Sequence, residues 1–254
     1  MLRATVKHVL RKIGYELVNV SPVPGVNVPK LPSGDPIPDH AFYKPLFSPW
    51  DGYGPFADYF TRAAPHTLVS ADRCWILYCL ATQSINTLGD FIECGVYKGG
   101  TASMLASLLG DSPQQHGKKL HLFDTFSGMP ETDPTRDLHV RGDFGDTSLD
   151  SVKSRVGHSE LVVFHSGTIP DTFSEMSSVK IAFAHVDVDI YESVMNSCSL
   201  IMPRLSIGGF LVFDDYGFPS CPGAREAVDE YFAQTPYVPL ILPTGQAVIF
   251  KSIE

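Results

Sequence analysis

The chain has 254 residues, 44% of them hydrophobic and 19% charged, enough for one large α/β domain with an N-terminal extension. A formal charge of −9 argues against nonspecific nucleic-acid binding, and no apolar run approaches the roughly 20 residues of a membrane span. The five cysteines show no CxxC or Cys/His metal spacing, so a reducing cytoplasm is the simplest setting.

Residues 1–15 carry four basic side chains and no acidic one, without the apolar core of a secretory signal. They read as a packing or dimerisation helix, which suggests a homo-oligomer. Nine prolines from Pro22 to Pro55 leave little room for regular helix over residues 18–58. Residues 1–66 are therefore expected to form a helix and a Pro-rich arm or lid, and residues 67–254 the main domain.

Ser70 to Asn86 predicts a helix with Ser70 as N-cap, and Gly89 to Gly95 a strand entering a glycine turn. A helix over Thr101–Leu109 and a strand over Leu120–Phe123, ending at Asp124, come next. Residues 127–146 are polar and rich in Pro, Gly and Asp, as loops that carry function often are. Further on, Ser148–Val156 reads as a helix, Leu161–Phe164 as a strand and Pro170–Met176 as a helical turn. Apolar runs at Ile181–Ala184 and Gly209–Phe213 read as buried parallel strands, with Tyr191–Leu205 the helix between them. A helix over 223–233 precedes a hairpin of Val238–Leu242 and Ala247–Lys251. Alternating strands and helices closed by an antiparallel hairpin imply a doubly wound, mostly parallel sheet.

Each of the two apolar runs ends in carboxylates: Asp187 and Asp189 after the first, Asp214 and Asp215 after the second. The packets are 214 − 187 = 27 residues apart, room for one crossover helix, so the two strands can be neighbours. Four carboxylates at one sheet edge need a cation or shared protons, and a hard divalent ion such as Mg²⁺ suits them. At the earlier turn, Glu93-Cys94-Gly95-Val96-Tyr97-Lys98-Gly99-Gly100-Thr101 lacks both the Gly-x-Gly-x-x-Gly order and a P-loop. An acidic residue there would repel a pyrophosphate but suits an ammonium-bearing ligand such as S-adenosylmethionine. Asp124 lies 124 − 93 = 31 residues further on, where an acidic residue can hold ribose hydroxyls.

Five motifs then occur in order: Glu93-x-Gly95-Val96-x-x-Gly99-Gly100, Asp124-Thr125-Phe126-x-Gly128-x-Pro130, Gly167-x-x-x-Asp171-Thr172-Phe173, Asp187-x-Asp189-x-Tyr191-Glu192-Ser193 and Gly208-Gly209-x-x-x-x-Asp214-Asp215-Tyr216-Gly217. Over residues 60–251 the chain resembles the macrocin O-methyltransferase (TylF-type) family of metal-dependent sugar O-methyltransferases. The resemblance implies a class I, Rossmann-like methyltransferase fold, S-adenosylmethionine as methyl donor, Mg²⁺, and a small hydroxylated acceptor, glycosylated, from natural-product biosynthesis. It assigns Asp187, Asp214 and Asp215 as metal ligands and Asp189 as general base. It places the donor against Glu93, Gly95, Tyr97 and Gly99, with Asp124 and Thr125. Thr67-Leu68 resembles the segment near the methionine carboxylate, and Ser148 an adenine-side contact. Val188 departs from the family, which commonly has Gly between the two aspartates.

Asp189, two residues beyond Asp187, is expected on the same face of a strand. His139 in the polar loop is an alternative base. Tyr216 could line the acceptor pocket, and Tyr53, Phe56 and Tyr59 could cover an apolar aglycone. The competing readings are a catechol-type O-methyltransferase acting on an aromatic diol and a non-catalytic cofactor-binding module.

Overall fold

The computed structural model describes residues 48–51, 54–114, 117–176 and 178–252. The basic segment 1–15, the arm up to residue 47 and Tyr53 lie outside the described residues. In chain order, α1 (Gly54–Ala63) and a 3-10 turn (Ala64–His66) lead into α2 (Ala71–Ser84), β1 (Asp90–Cys94) and α3 (Gly100–Asp111). Then come β2 (Leu120–Asp124), α4 (Leu149–Val156), β3 (Val162–Ser166), a 3-10 turn (Asp171–Met176) and β4 (Ile181–Val186). The remainder is α5 (Tyr191–Ile201), β5 (Leu205–Phe213), α6 (Pro222–Phe232), β6 (Leu240–Ile241) and β7 (Ala247–Phe250).

The strands form one seven-stranded sheet in the order β3-β2-β1-β4-β5-β7-β6. Strands β1 to β5 run parallel, while β7 is antiparallel to both β5 and β6, as the sequence led one to expect. The two-residue alternation of a strand divides the core between two layers. Phe91, Leu120 and Phe183 pack with α1 to α4 on one face, while Ile92, Phe123 and Ala184 pack with α5 and α6 on the other. All six residues of β4 are buried, as in a central strand covered on both faces. Among the described residues no helix is long and apolar enough to cross a membrane.

Two stretches differ from expectation. Residues 54–66, grouped with the N-terminal helix and arm and irregular by expectation up to residue 58, are helical and belong to the compact unit Pro49–Glu254. Pro55 stands in the first turn of α1, where its missing N–H breaks no helical bond. Phe56 and Tyr59 are consequently core residues, 0% and 7% exposed, and do not cover a ligand. Phe56 meets Trp75 edge-on at 5.1 Å and stacks on Phe60 at 5.6 Å. Truncation of Phe56 to Ala is expected to destabilise the protein by about 3–5 kcal/mol in denaturant unfolding; a change near zero would show α1 to be dispensable. The second difference is α5, which stops at Ile201 rather than Leu205 because Pro203 cannot continue it.

The strand order places the topological switch between β1 and β4, from which the chain winds outward in both directions. Cys94 pairs with Val186 and Val186 with Phe213, so the residues that follow, Gly95, Asp187 and Asp214, leave the sheet at one level.

Candidate active site

Around that switch point opens a cleft of about 270 Å³, the scale of a small-molecule site. Gly95, Tyr97, Asp124 and Thr125 line it on the donor side expected from the sequence, together with Thr67 and Leu68. Asp187, Asp189, Asp215 and His139 line it as well. Residues separated by more than 140 positions are thus gathered by the sheet ends, the segment before α2 and the loop that carries His139.

Gly95 is the tightest point. Its φ is +85°, and a Cβ there would lie 1.7 Å from the Asp187 carbonyl oxygen. Gly95→Ala is therefore expected to force β1 and β4 apart where both feed the cleft. The left-handed φ alone costs roughly 1–3 kcal/mol. Thermal unfolding with and without S-adenosylmethionine checks this: a lower midpoint and no ligand-induced rise are expected, and an unchanged response would contradict it.

Asp124 pins the same turn. Its Oδ2 accepts from the backbone N–H of Val96 at 2.7 Å and of Tyr97 at 3.0 Å, and its Oδ1 from Phe126 N–H at 2.6 Å. Tyr97, itself left-handed at φ 50°, donates its hydroxyl to Asp146 at 2.8 Å. Three expected donor contacts stand elsewhere. Glu93 is fully enclosed, because β1 sets it opposite His185 of β4, whose Nδ1 lies 2.9 Å from Glu93 Oε1. Gly99 is buried against Val152 and Val156 of α4, and Ser148 is the exposed N-cap of α4, accepting from Ser151 N–H. None of the three lines the cleft. Tyr216 is also outside it, its hydroxyl given to Asp229.

The carboxylates differ in their surroundings. Asp214 is completely buried and bonded on both sides, to the Arg73 guanidinium through Oδ2 and to Gln246 Nε2 at 2.8 Å through Oδ1. Pairing of Phe213 with Ala247 is what brings Gln246 alongside. Burial opposes ionisation of Asp214, yet His185, Arg73 and Gln246 together hold its carboxyl below the usual range. His185 Nε2 lies 3.6 Å from Asp214 Oδ1. Burial works against a charge on His185, but Asp214 and Glu93 outweigh it and raise its pKa to about 10.

Asp187 and Asp215 have weaker help, His185 acting on the first and Arg73 and the Asp189 backbone on the second. Among the described residues neither has an ion-pair partner, and Asp215 accepts only the Asp189 backbone N–H, at 3.1 Å. Burial and then the charges of Asp214 and Asp215 push Asp187 well above the ordinary carboxylate range. Burial, Asp189 and Asp214 do the same to Asp215. Two crowded, desolvated carboxylates lining a cleft fit a hard divalent cation, whose charge would offset both causes of the shift. Asp214, already neutralised by Arg73, is the least available of the three expected ligands.

Asp189 is not on a strand face. Strand β4 ends at Val186, and Asp189 stands at φ 59°, a left-handed position that turns its carboxylate away from the strand alternation. Its Oδ1 accepts from the Cys221 thiol at 3.3 Å and lies 3.8 Å from His139 Nε2. Burial is the main reason its pKa is raised, with His139 and Cys221 pulling the other way. His139 is not a free loop histidine: its Nδ1 is 3.0 Å from Asp143 Oδ2, which aims Nε2 into the cleft. The loop is held by Asp137, buried beneath Tyr191 and accepting its backbone N–H at 2.9 Å. Arg73, Asp137, Asp143, His185 and Cys221 carry no local motif that would single them out.

The sequence profile described as Macrocin-O-methyltransferase (TylF) matches residues 63–240. The chain is 31% identical over 182 residues to the 8-demethyl-8-(2,3-dimethoxy-alpha-L-rhamnosyl)-tetracenomycin-C 4'-O-methyltransferase of Streptomyces olivaceus, covering 65% of this chain and 67% of that one. It is 32% identical over 189 residues to the mycinamicin III 3''-O-methyltransferase of Micromonospora griseorubida, covering 68% and 72%. Among solved structures, the O-methyltransferase NovP superposes with a TM-score of 0.65 at 24% identity, over 74% of this chain and 83% of that one.

Proposed function

The chain belongs to the macrocin O-methyltransferase (TylF) family, and from that membership we propose that it methylates a sugar hydroxyl of a glycosylated small molecule, using S-adenosylmethionine and a divalent cation. The observation that carries the reading is the meeting of Asp187, Asp189 and Asp215 with the Gly95 turn in one cleft. The relatives named for rhamnosyl-tetracenomycin and mycinamicin substrates support a glycosylated acceptor.

S-adenosylmethionine supplies an activated methyl group on a sulfonium. The turn at Gly95–Tyr97 lines the cleft on the side we assign to the donor, and Asp124 fixes that turn while keeping an edge on the cleft. Thr67 and Leu68 offer their loop to the donor's methionine end. A Mg²⁺ held by Asp187 and Asp215, with Asp214 behind them, would supply Lewis acidity that lowers the pKa of an acceptor hydroxyl. Asp189 takes the hydroxyl proton. Its raised pKa makes it a better acceptor than a solvated carboxylate, and His139 beside it, backed by Asp143, stabilises the ionised form before transfer. The cleft walls hold the acceptor oxygen in line with the methyl group and exclude competing water. The reading is tested by methyl transfer to sugar glycosides and to catechols. Methylation of the sugar oxygen is expected, and exclusive methylation of catechols would contradict it.

A further inference from the structure

Beside the carboxylates, three donors of different chemistry meet on the cleft lining: His139 Nε2, Asp189 Oδ1 and Cys221 Sγ. The thiol sulfur lies 3.3 Å from the Asp189 oxygen and 3.8 Å from the His139 nitrogen, and those two atoms are 3.8 Å apart. Tetrahedral zinc with bonds of ~2.0–2.3 Å sets its ligand atoms about 3.3–3.6 Å from one another. The three atoms therefore already stand close to the corners of such a site. Asp143 on the far nitrogen of His139, at 3.0 Å, is the carboxylate–imidazole pairing that orients zinc-binding histidines. The fourth position would face the cleft.

From this geometry we infer that His139, Asp189 and Cys221 form a second, softer metal site selective for Zn²⁺-type ions, and that filling it stops methyl transfer. The site rests on geometry alone; the inhibition rests also on the proposed role of Asp189 as proton acceptor. A thiolate favours Zn²⁺ over Mg²⁺, whereas Asp187 and Asp215 offer oxygen only, so the two sites sort ions by hardness. Coordination sends the Cys221 proton to solvent. Because binding releases that proton, apparent affinity should increase with pH. Cys221 lies 82 residues from His139, so no sequence spacing announces the site.

Cobalt(II) reports the site directly, since a thiolate ligand gives it a charge-transfer band in the near ultraviolet. Titrated into the full chain under excess Mg²⁺, Co²⁺ is expected to give a band that saturates at one ion per chain. The band should be lost in Cys221→Ser and intact in Asp187→Asn, and Asp143→Asn should weaken apparent affinity about 10–100-fold. Absence of the band from the wild-type chain, its survival in Cys221→Ser, or its loss in Asp187→Asn would overturn the site. One equivalent of Zn²⁺ should then suppress turnover at saturating Mg²⁺, and Cys221→Ser should need at least about tenfold more, each scored against its own zinc-free rate. Full turnover by the zinc-loaded chain would overturn the inhibition. The cobalt band needs no methyl transfer, so its failure is told apart from failure of the proposed reaction.

Discussion

Asp189→Asn is expected to lower the turnover number of methyl transfer by about 10²–10⁴-fold, equivalent to about 3–5 kcal/mol of barrier. The substitution keeps the backbone N–H that binds Asp215 and nearly the same side-chain shape. What it removes is the ability to accept a proton. Affinity for S-adenosylmethionine should be unchanged, because the contacts proposed for the donor are the Gly95 turn, Asp124 and Thr67, all on the cleft lining. A base must be ionised to act, so wild-type activity should fall as pH falls through the Asp189 pKa. In the metal-free chain burial raises that pKa, and this fall is the acid limb of the pH profile. The variant should lose this limb as well as the rate. His139→Ala should be milder, about tenfold, if His139 only supports Asp189. A near-wild-type rate in Asp189→Asn with collapse in His139→Ala would transfer the role of base to His139.

Asp187→Asn is expected to abolish the response to Mg²⁺ and most of the activity, yet to leave the metal-free protein more stable than wild type. Both outcomes come from one fact: Asp187 is held among Asp214, Asp215 and Asp189, a group whose charges repel. Removing one charge relieves the repulsion, a cost that the functional arrangement otherwise carries. Since Asp187 and Asp215 have folded-state pKa values above their unfolded ones, the native state binds more protons between those values. Stability of the metal-free wild type should therefore decline as pH rises through that window. Mg²⁺ at about 100 times its dissociation constant should return about 2.7 kcal/mol. For a domain of this size that is roughly 5–10 °C in thermal midpoint. Calorimetric scans of both proteins with and without Mg²⁺ check the pair of effects, and a Mg²⁺-induced rise in Asp187→Asn equal to wild type would show the ligand set to be wrong.

Much of this arrangement was legible in the sequence because buried parallel strands are written as apolar runs and ligands gather at their ends. The runs before Asp187 and Asp214 are β4 and β5, adjacent as their spacing allowed, and the glycine turn follows β1 beside them. Local pattern failed where register decides. Glu93 looked like a ligand contact because it precedes a glycine turn, but its partner across the sheet is His185, and the two are buried together. Arg73 and Gln246 reach Asp214 from α2 and from the residue just before β7, placements that no spacing predicts. Asp189 was misread for a different reason. Strand alternation was extended past Val186, whereas the left-handed turn at Asp189 redirects its carboxylate toward Cys221 and His139. Helix α1 was hidden by the prolines around it, although Pro55 falls where a helix tolerates one.

The most direct measurement is transfer of isotope-labelled methyl from S-adenosylmethionine to a panel of rhamnosylated and other deoxysugar glycosides, run with Mg²⁺ and with a chelator. The account predicts label on a sugar oxygen, present with Mg²⁺, reduced to background by the chelator and restored by adding Mg²⁺ back. Label that appears equally in the presence of chelator, or appears on an aromatic diol and on no glycoside, would contradict it.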